Sequence, residues 1–411
     1  MKILVVSPNL PYPADDGGRI RIFNLIKFLS TRHEVTLLCF AWEHTGETGN
    51  IAEMERHCSR VVAVPRKFNL TAKISTRLRH LLNFFSPVPW MVKFLESGEM
   101  KKKLKELLEK GGFDIVQLEY GYMALYADVV RKAVVPGKKP AIVVDEHNVE
   151  WALKFRISGN RSAGSRALER FYQWYEGARF LAWEKKKAPL IDSHLFVSAA
   201  DAKIQEEKIP GIKAATAPNG VDTQYLTPSP GKMNEAPGLL FLGNMAWLPN
   251  EDAALYFAGD IFPEIKKKYP EMVFYIAGKG SSPAVKKLSE DRNIKVPGYV
   301  GDVREYYGKN VILVVPMRIG GGTRLKIVEA MSSGVPVVST SVGCEGLAVK
   351  HGENILIADT PGAFALAVFE MIENARLRED ICSGGRMLAQ ELYDWRSVVK
   401  TIEKVYSAIL R

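Results

Sequence analysis

PMRIGGGTRLKIVEAMSSGVPVVST, residues 316–340, reads as a strand end, a glycine turn, a helix, a further glycine and a second strand. Gly320, Gly321 and Gly322 leave the turn without side chains, so a ligand can approach the backbone closely. Thr323 is a residue type that caps helix N-termini, and the helix it would open presents unpaired N–H groups and the positive end of its dipole. After the carboxyl end of a strand in an open α/β sheet, such a terminus is a seat for a diphosphate. Glu329 stands seven residues beyond Gly322, about 10 Å along a helix. There a carboxylate can accept hydrogen bonds from both ribose hydroxyls of a nucleotide whose diphosphate lies at the helix start. The alternative is a Lys326–Glu329 surface pair at i,i+3 spacing. Glu329, however, shares a face with Leu325 and adjoins Ala330 and Met331, an apolar setting in which an idle carboxylate is costly.

Outward from this stretch, short apolar runs alternate with longer amphipathic ones. Residues 3–7, 34–40, 60–64, 114–118, 141–145 and 194–198 predict buried strands, and runs beginning at Leu239, Val273, Val311, Pro336 and Ile355 predict a second series. Helix-length segments between them fit βαβ connections and two doubly wound parallel-sheet domains of the α/β class. The seam falls in TPSPGKMNEAP, residues 227–237, which is rich in proline and polar residues. The expected domains are therefore 1–230 and 231–390. A closing amphipathic helix within 391–411, with Val398, Ile402, Val405 and Ile409 at helical spacing, completes the first domain.

The chain has 411 residues, 47% hydrophobic and 25% charged, which fits a folded two-domain protein rather than a disordered one. Cys39, Cys58, Cys344 and Cys382 lack paired or metal-ligand spacing, which points to reduced thiols, a cytoplasmic protein and no zinc site. The start, MKILVVSPNLPYP, has too short an apolar stretch for an expected signal peptide, and no apolar run in the sequence reaches membrane length. The net charge of +10 asks for an anionic partner, and no nucleic-acid module accompanies it. Basic residues interleaved with Leu, Phe84, Phe85 and Trp90 in residues 66–110 suit either peripheral contact with an anionic membrane or a solvated helical insertion whose aromatics pack inward. Residues 154–187 carry the same ambiguity.

Glu329-Ala330, Gly334 and Pro336-Val337-Val338 resemble the donor motif of retaining glycosyltransferase family 4, whose members have the GT-B fold: two Rossmann-like domains facing a central cleft. The family motif has two glutamates separated by seven residues; here Gly321 stands at the first, in a GGGTRLKIVEA form that resembles a branch of the family. The resemblance implies that Thr323, Arg324 and Lys326 border the donor pocket with Gly321 and Gly322. PYPADDGGRIR, residues 11–21, resembles the family's N-terminal glycine loop, which places Gly17 and Gly18 toward the donor; a glycine pair after the first strand permits positive φ and close approach to phosphate. APNGVD, residues 217–222, is a family signature near the domain junction and also a tight turn, so it reads first as architecture.

FLGNMAWLPNEDA, residues 241–253 and onward to Ala254, occupies the place where many members carry an arginine and a lysine that neutralise phosphate. Gly243 and Asn244 stand there instead, which leaves Arg324 and Lys326, with Arg19 or Arg21, as the candidate cations. Gly278 in YIAGKG matches a strand turn beside the nucleotide base. DEHN, residues 145–148, resembles the position of the family's active-site histidine, and His147 at a strand's carboxyl end suits contact with the sugar or the acceptor hydroxyl. Glu119 ends another strand and is a candidate for meeting the acceptor. The resemblance implies sugar transfer from a nucleoside-diphosphate sugar to a glycan, lipid-linked or small-molecule acceptor. It further implies retention of configuration, with no metal or other cofactor. A GT-B epimerase, and a nucleotide-sugar-binding protein without turnover, are the competing readings.

Overall fold

The apolar runs become strands because each can be buried on both faces: β1 (Lys2–Ser7) buries all but its first residue, and β11 (Val311–Val315) buries every one. The computed structural model describes residues 1–42, 50–66, 83–84, 86–135, 137–159, 167–228, 238–308, 311–320 and 323–411. They form two units, Met1–Pro218 with Val399–Arg411, and Asn219–Val398.

In the first unit β1 joins β2 (Glu34–Trp42), β3 (Arg60–Arg66), β4 (Ile115–Glu119), β5 (Ala141–Glu146), β6 (Ser193–Phe196) and β7 (Ala214–Thr216) in one sheet of order β3-β2-β1-β4-β5-β6-β7. In the second unit β8 (Gly238–Leu242), β9 (Phe274–Ala277), β10 (Ile294–Gly298), β11, β12 (Val337–Ser339) and β13 (Leu356–Ile357) are ordered β10-β9-β8-β11-β12-β13. All these pairings are parallel. The winding reverses between β1 and β4 in one sheet and between β8 and β11 in the other. The carboxyl ends beside such a reversal are where open α/β sheets bind ligands. No apolar run marks β7, whose Ala-Ala-Thr is only half-buried, or β10, whose Ile-Lys-Val-Pro-Gly buries its first residue alone. The run from Ile355 yields only the two residues of β13.

The division falls at Asn219, earlier than the expected boundary at 230, because the following residues are fastened to the second unit. Val221 bridges Asp394, and the Trp395 N–H donates to the Val221 carbonyl at 3.1 Å. Arg386 donates to the Leu226 and Thr223 carbonyls at 2.8 and 2.9 Å. Gly220 packs so tightly on the Trp395 ring that a Cβ would overlap it, an architectural role for APNGVD. At the other end, Val399–Arg411 belongs to the first unit rather than the whole of 391–411. There the Tyr406 hydroxyl, on helix Trp395–Leu410, donates to Gln117 on β4. Among the described residues no helix is long and apolar enough to cross a membrane.

Of the basic stretch 66–110, residues 67–82 and 85 lie outside the described residues. Arg66 sits over the Phe40 ring, Trp90 stacks on Phe94 and Phe84 on Tyr175, so the described aromatics pack against the protein.

Candidate functional site

In the second unit the site residues gather at the carboxyl ends of β8, β9 and β11. Gly243 and Gly278 follow β8 and β9. Gly278 has φ 138° and lies against the Gly243 carbonyl, where a Cβ would overlap the oxygen, so the two strand ends meet backbone to backbone. Asn244 shapes the next turn: its Oδ1 accepts the Ala246 N–H at 3.1 Å, and its carbonyl accepts Asn250 Nδ2 at 3.0 Å.

The helix after the glycine turn runs from Leu325 to Ser332, one residue later than a Thr323 cap requires; Arg324 holds the cap position and makes no side-chain capping bond. Thr323 is buried with its Oγ1 accepting Asn219 Nδ2 at 2.9 Å, so its hydroxyl is engaged by the APNGVD turn rather than by the helix. The Arg324 guanidinium packs on Gly320, where no Cβ would fit, with Nη2 3.5 Å from the Val342 carbonyl. Gly321 and Gly322 lie outside the described residues.

Lys326 is directed differently. Its ammonium lies 4.1 Å from the Phe241 ring centroid and 3.0 Å from Asn250 Oδ1. The lysine thus reaches from its own helix to β8 and to the start of the helix Leu248–Tyr256 that follows it, and residues 243–250 contain no basic residue. Burial, and then the neighbouring Arg324 charge, bring the Lys326 ammonium down to about 7, against a partial offset from Glu329. Glu329 is half-buried, and desolvation lifts its carboxyl to about 7 despite Lys326 and a hydrogen bond from Tyr307. The Tyr307 hydroxyl also lies 3.3 Å from the Lys326 carbonyl, so it anchors this helix turn and orients the carboxylate. Sequence reading missed Tyr307 because a tyrosine in REYYGKN, more than twenty residues from Glu329, carries no local signal of that contact.

In the first unit β1, β4 and β5 lie side by side, and their ends hold Gly17, Gly18, Glu119 and His147. His147 Nε2 pairs with Glu119 Oε2 at 3.0 Å, and Gln117 Nε2 donates to Glu119 Oε1 at 2.6 Å. Burial raises the Glu119 carboxyl above its usual range, with His147 opposing and Asp145 adding to the rise. Arg21 is fully buried and grips both Asp145 oxygens, at 2.8 and 2.7 Å, while Nη1 donates to the Pro218 carbonyl at 3.0 Å. That corrects its candidacy as a phosphate cation: the guanidinium neutralises a buried aspartate. Arg19 lies within 4 Å of Asp15 and Asp16. Strand alternation sends Glu146 the other way, to His194 Nδ1 at 3.2 Å.

Gly17 and Gly18 do not take up positive φ; they form the first turn of helix Gly17–Leu29 behind the Asp16 cap. A Cβ on Gly18 would overlap the Tyr120 hydroxyl, so close packing inside this unit accounts for that glycine. Among the described residues, Glu119, Asp145 and His147 form the group whose ligand atoms fall within 4.8 Å of one another. A cation there would compete with Arg21, which already supplies the positive charge to Asp145, so the donor set does not fit a metal.

Residues 16–225 match the family described as Glycosyltransferase Family 4, and residues 236–374 match Glycosyl transferases group 1. The chain is similar to an uncharacterized 44.6 kDa protein in the cps region of Klebsiella pneumoniae, 25% identical over 98% of this chain and 99% of that one. It is also similar to the phosphatidyl-myo-inositol mannosyltransferase of Mycobacterium leprae, 25% identical over 55% of this chain and 61% of the relative. HepE of Anabaena, solved with UDP and glucose, has the same fold: TM-score 0.69 over 99% of this chain and 100% of that chain, at 14% identity. Two parallel Rossmann-like sheets with such neighbours are the GT-B architecture. The family description spans more than half of the sequence, and the chain therefore belongs to glycosyltransferase family 4 and is a glycosyltransferase.

Proposed function

We propose that this enzyme transfers a sugar from a nucleoside-diphosphate sugar to an acceptor hydroxyl with retention of anomeric configuration and without a metal ion. The observation that carries the reading is the turn of helix holding Lys326 and Glu329, which brings the lysine to Asn250 on the helix after β8 and keeps a half-buried carboxylate hydrogen-bonded to Tyr307. Glu329 accepts the ribose hydroxyls, and Lys326, beside Arg324, stabilises the departing diphosphate. His147, held by Glu119, meets the sugar or the acceptor, whose proton passes to the leaving phosphate oxygen as the new glycosidic bond forms. The cps-region relative supports a polysaccharide product, and the mannosyltransferase relative supports a lipid-linked acceptor. Peripheral contact with an anionic membrane belongs to the same reading, since helix Ala167–Lys187 exposes Leu168, Phe171 and Trp174 beside basic residues.

Thermal shift with UDP-, GDP- and ADP-glucose tests the donor assignment, because a ligand bound only by the folded chain raises its melting temperature. Stabilisation by one base over the others is expected, and none by any of the three sinks the reading.

A further inference from the structure

Tyr120 is the single non-glycine residue with positive φ among the described residues, at 72°, directly after Glu119 at the end of β4. A side chain in that region is strained, and such strain persists only where surrounding contacts hold it. Three contacts do so. The Tyr120 N–H donates to the Asp145 carbonyl at 2.8 Å. Its ring stacks on the His147 imidazole, with centroids 3.8 Å apart and planes 27° apart, and on Tyr122 at 4.9 Å. Its hydroxyl occupies the space that Gly18 leaves by having no Cβ.

His147 is therefore fixed in two directions: Glu119 holds Nε2 in the ring plane, and Tyr120 covers a face of the ring. A helix starting with alanine at position 18 would push the phenol away, and a relaxed backbone at 120 would swing the ring off the imidazole.

We propose that Tyr120 is a positioning residue that sets the plane of His147, and that Gly18 serves the reaction by admitting the Tyr120 hydroxyl rather than by touching the donor. This rests on the reading of His147 as the group that meets the sugar or acceptor. Tyr120→Phe keeps the stack, whereas Tyr120→Gly removes the ring and suits the backbone's positive φ, so it tests the ring without adding strain. Gly18→Ala displaces the ring through its hydroxyl, and the double variant Gly18→Ala/Tyr120→Phe removes the atom in conflict; the nearest remaining ring carbon lies 3.0 Å from the added Cβ, within reach of a small adjustment.

The full chain is assayed with whichever of UDP-, GDP- or ADP-glucose stabilises it most, reading nucleoside diphosphate released to water or to added glucose, together with Kd for the nucleotide. Tyr120→Gly and Gly18→Ala are expected to lower kcat about 10- to 100-fold, the scale of a misplacement of about 1 Å. Nucleotide Kd should be unchanged, Tyr120→Phe near wild type, and the double variant restored toward it. In histidine NMR spectra, the His147 resonances, assigned by their loss in His147→Gln, should move in Tyr120→Gly and stay in Tyr120→Phe. If His147→Gln keeps full turnover, the reading of the histidine falls and this proposal with it. If His147→Gln loses turnover while Tyr120→Gly does not, Tyr120 alone is overturned. Gly18→Ala raising the donor KM without rescue by Tyr120→Phe would return that glycine to the donor and overturn its part.

Discussion

Glu329→Gln keeps the side chain's shape and removes its charge, and the structure predicts opposite effects on stability and on binding. A rise of the carboxyl pKa from 4.5 to about 7 corresponds to about 3 kcal/mol for holding it ionised in the fold. Partial exposure screens some of this, so about 1–3 kcal/mol is the range to expect. The raised pKa fixes the sign. The contribution of the protonated carboxyl to stability is complete below pH 4.5 and is lost as the pH climbs through 7. At pH 8 the wild type carries the whole cost and the glutamine variant none, so the variant melts higher; at pH 4.5 both side chains are neutral and the melting temperatures converge. Binding moves the other way. A hydrogen bond to a charged acceptor contributes about 1.5–3 kcal/mol and a neutral one about 0.5–1.5. Loss of the charge at the ribose therefore costs about 1–2 kcal/mol, a Kd raised about 5- to 30-fold. Calorimetric titration with UDP, GDP and ADP measures the second effect, and thermal melts at the two pH values the first. A variant that binds nucleotide like the wild type would falsify the ribose assignment. One that melts lower at pH 8 would refute the claim that the carboxylate is held against its own stability.

Two further substitutions probe the frame around the site. Arg21→Met leaves Asp145 buried without its guanidinium and should cost about 3–5 kcal/mol in urea unfolding. Adding Asp145→Leu should recover most of that loss, and a double variant no better than the single would mean that the pair does not stabilise as a unit. Gly278→Ala forces a side chain at φ 138° against the Gly243 carbonyl and should destabilise the second unit by about 2–3 kcal/mol. Unfolding at wild-type denaturant concentrations would show that the strand ends can separate freely.

Most strands were legible because they are short runs rich in apolar residues, and burial on both faces leaves little else that such runs can do. The short β7 was not, since Ala-Ala-Thr pairs with β6 through backbone bonds that no side-chain pattern encodes. Of the site, the helix carrying Lys326 and Glu329 was readable as a local pattern. What escaped were the contacts made across distance in sequence: Tyr307 on Glu329, Asn250 on Lys326, Arg21 on Asp145, Tyr120 on His147. The first residues of a motif also misled. Gly18 suggested a phosphate approach because a glycine pair permits positive φ, yet its missing Cβ makes room for a phenol from β4. Likewise Thr323 has a cap's chemistry, but a partner at Asn219 competes successfully for its hydroxyl.

Placing the cation and the carboxylate on one helix turn has a consequence for protons. A lone buried lysine would stay neutral and a lone buried glutamate protonated; together each stands at about 7. A diphosphate arriving beside Lys326 favours its ammonium, and ribose hydroxyls arriving at Glu329 favour its carboxylate. Above pH 7 the glutamate is already ionised and the lysine mostly neutral, so binding must take up a proton. Below pH 7 the lysine is already charged and the glutamate mostly protonated, so binding must release one. A nucleoside-diphosphate sugar is the right probe because its diphosphate has no group titrating in this range. Calorimetry at pH 6 and pH 8 in buffers of different ionisation enthalpy reads the proton count directly. Lys326→Arg should abolish uptake at pH 8 while leaving release at pH 6, and Glu329→Gln should do the reverse. A proton count of the same sign on both sides of neutrality, or one unaffected by either substitution, places the diphosphate and the ribose somewhere other than this helix.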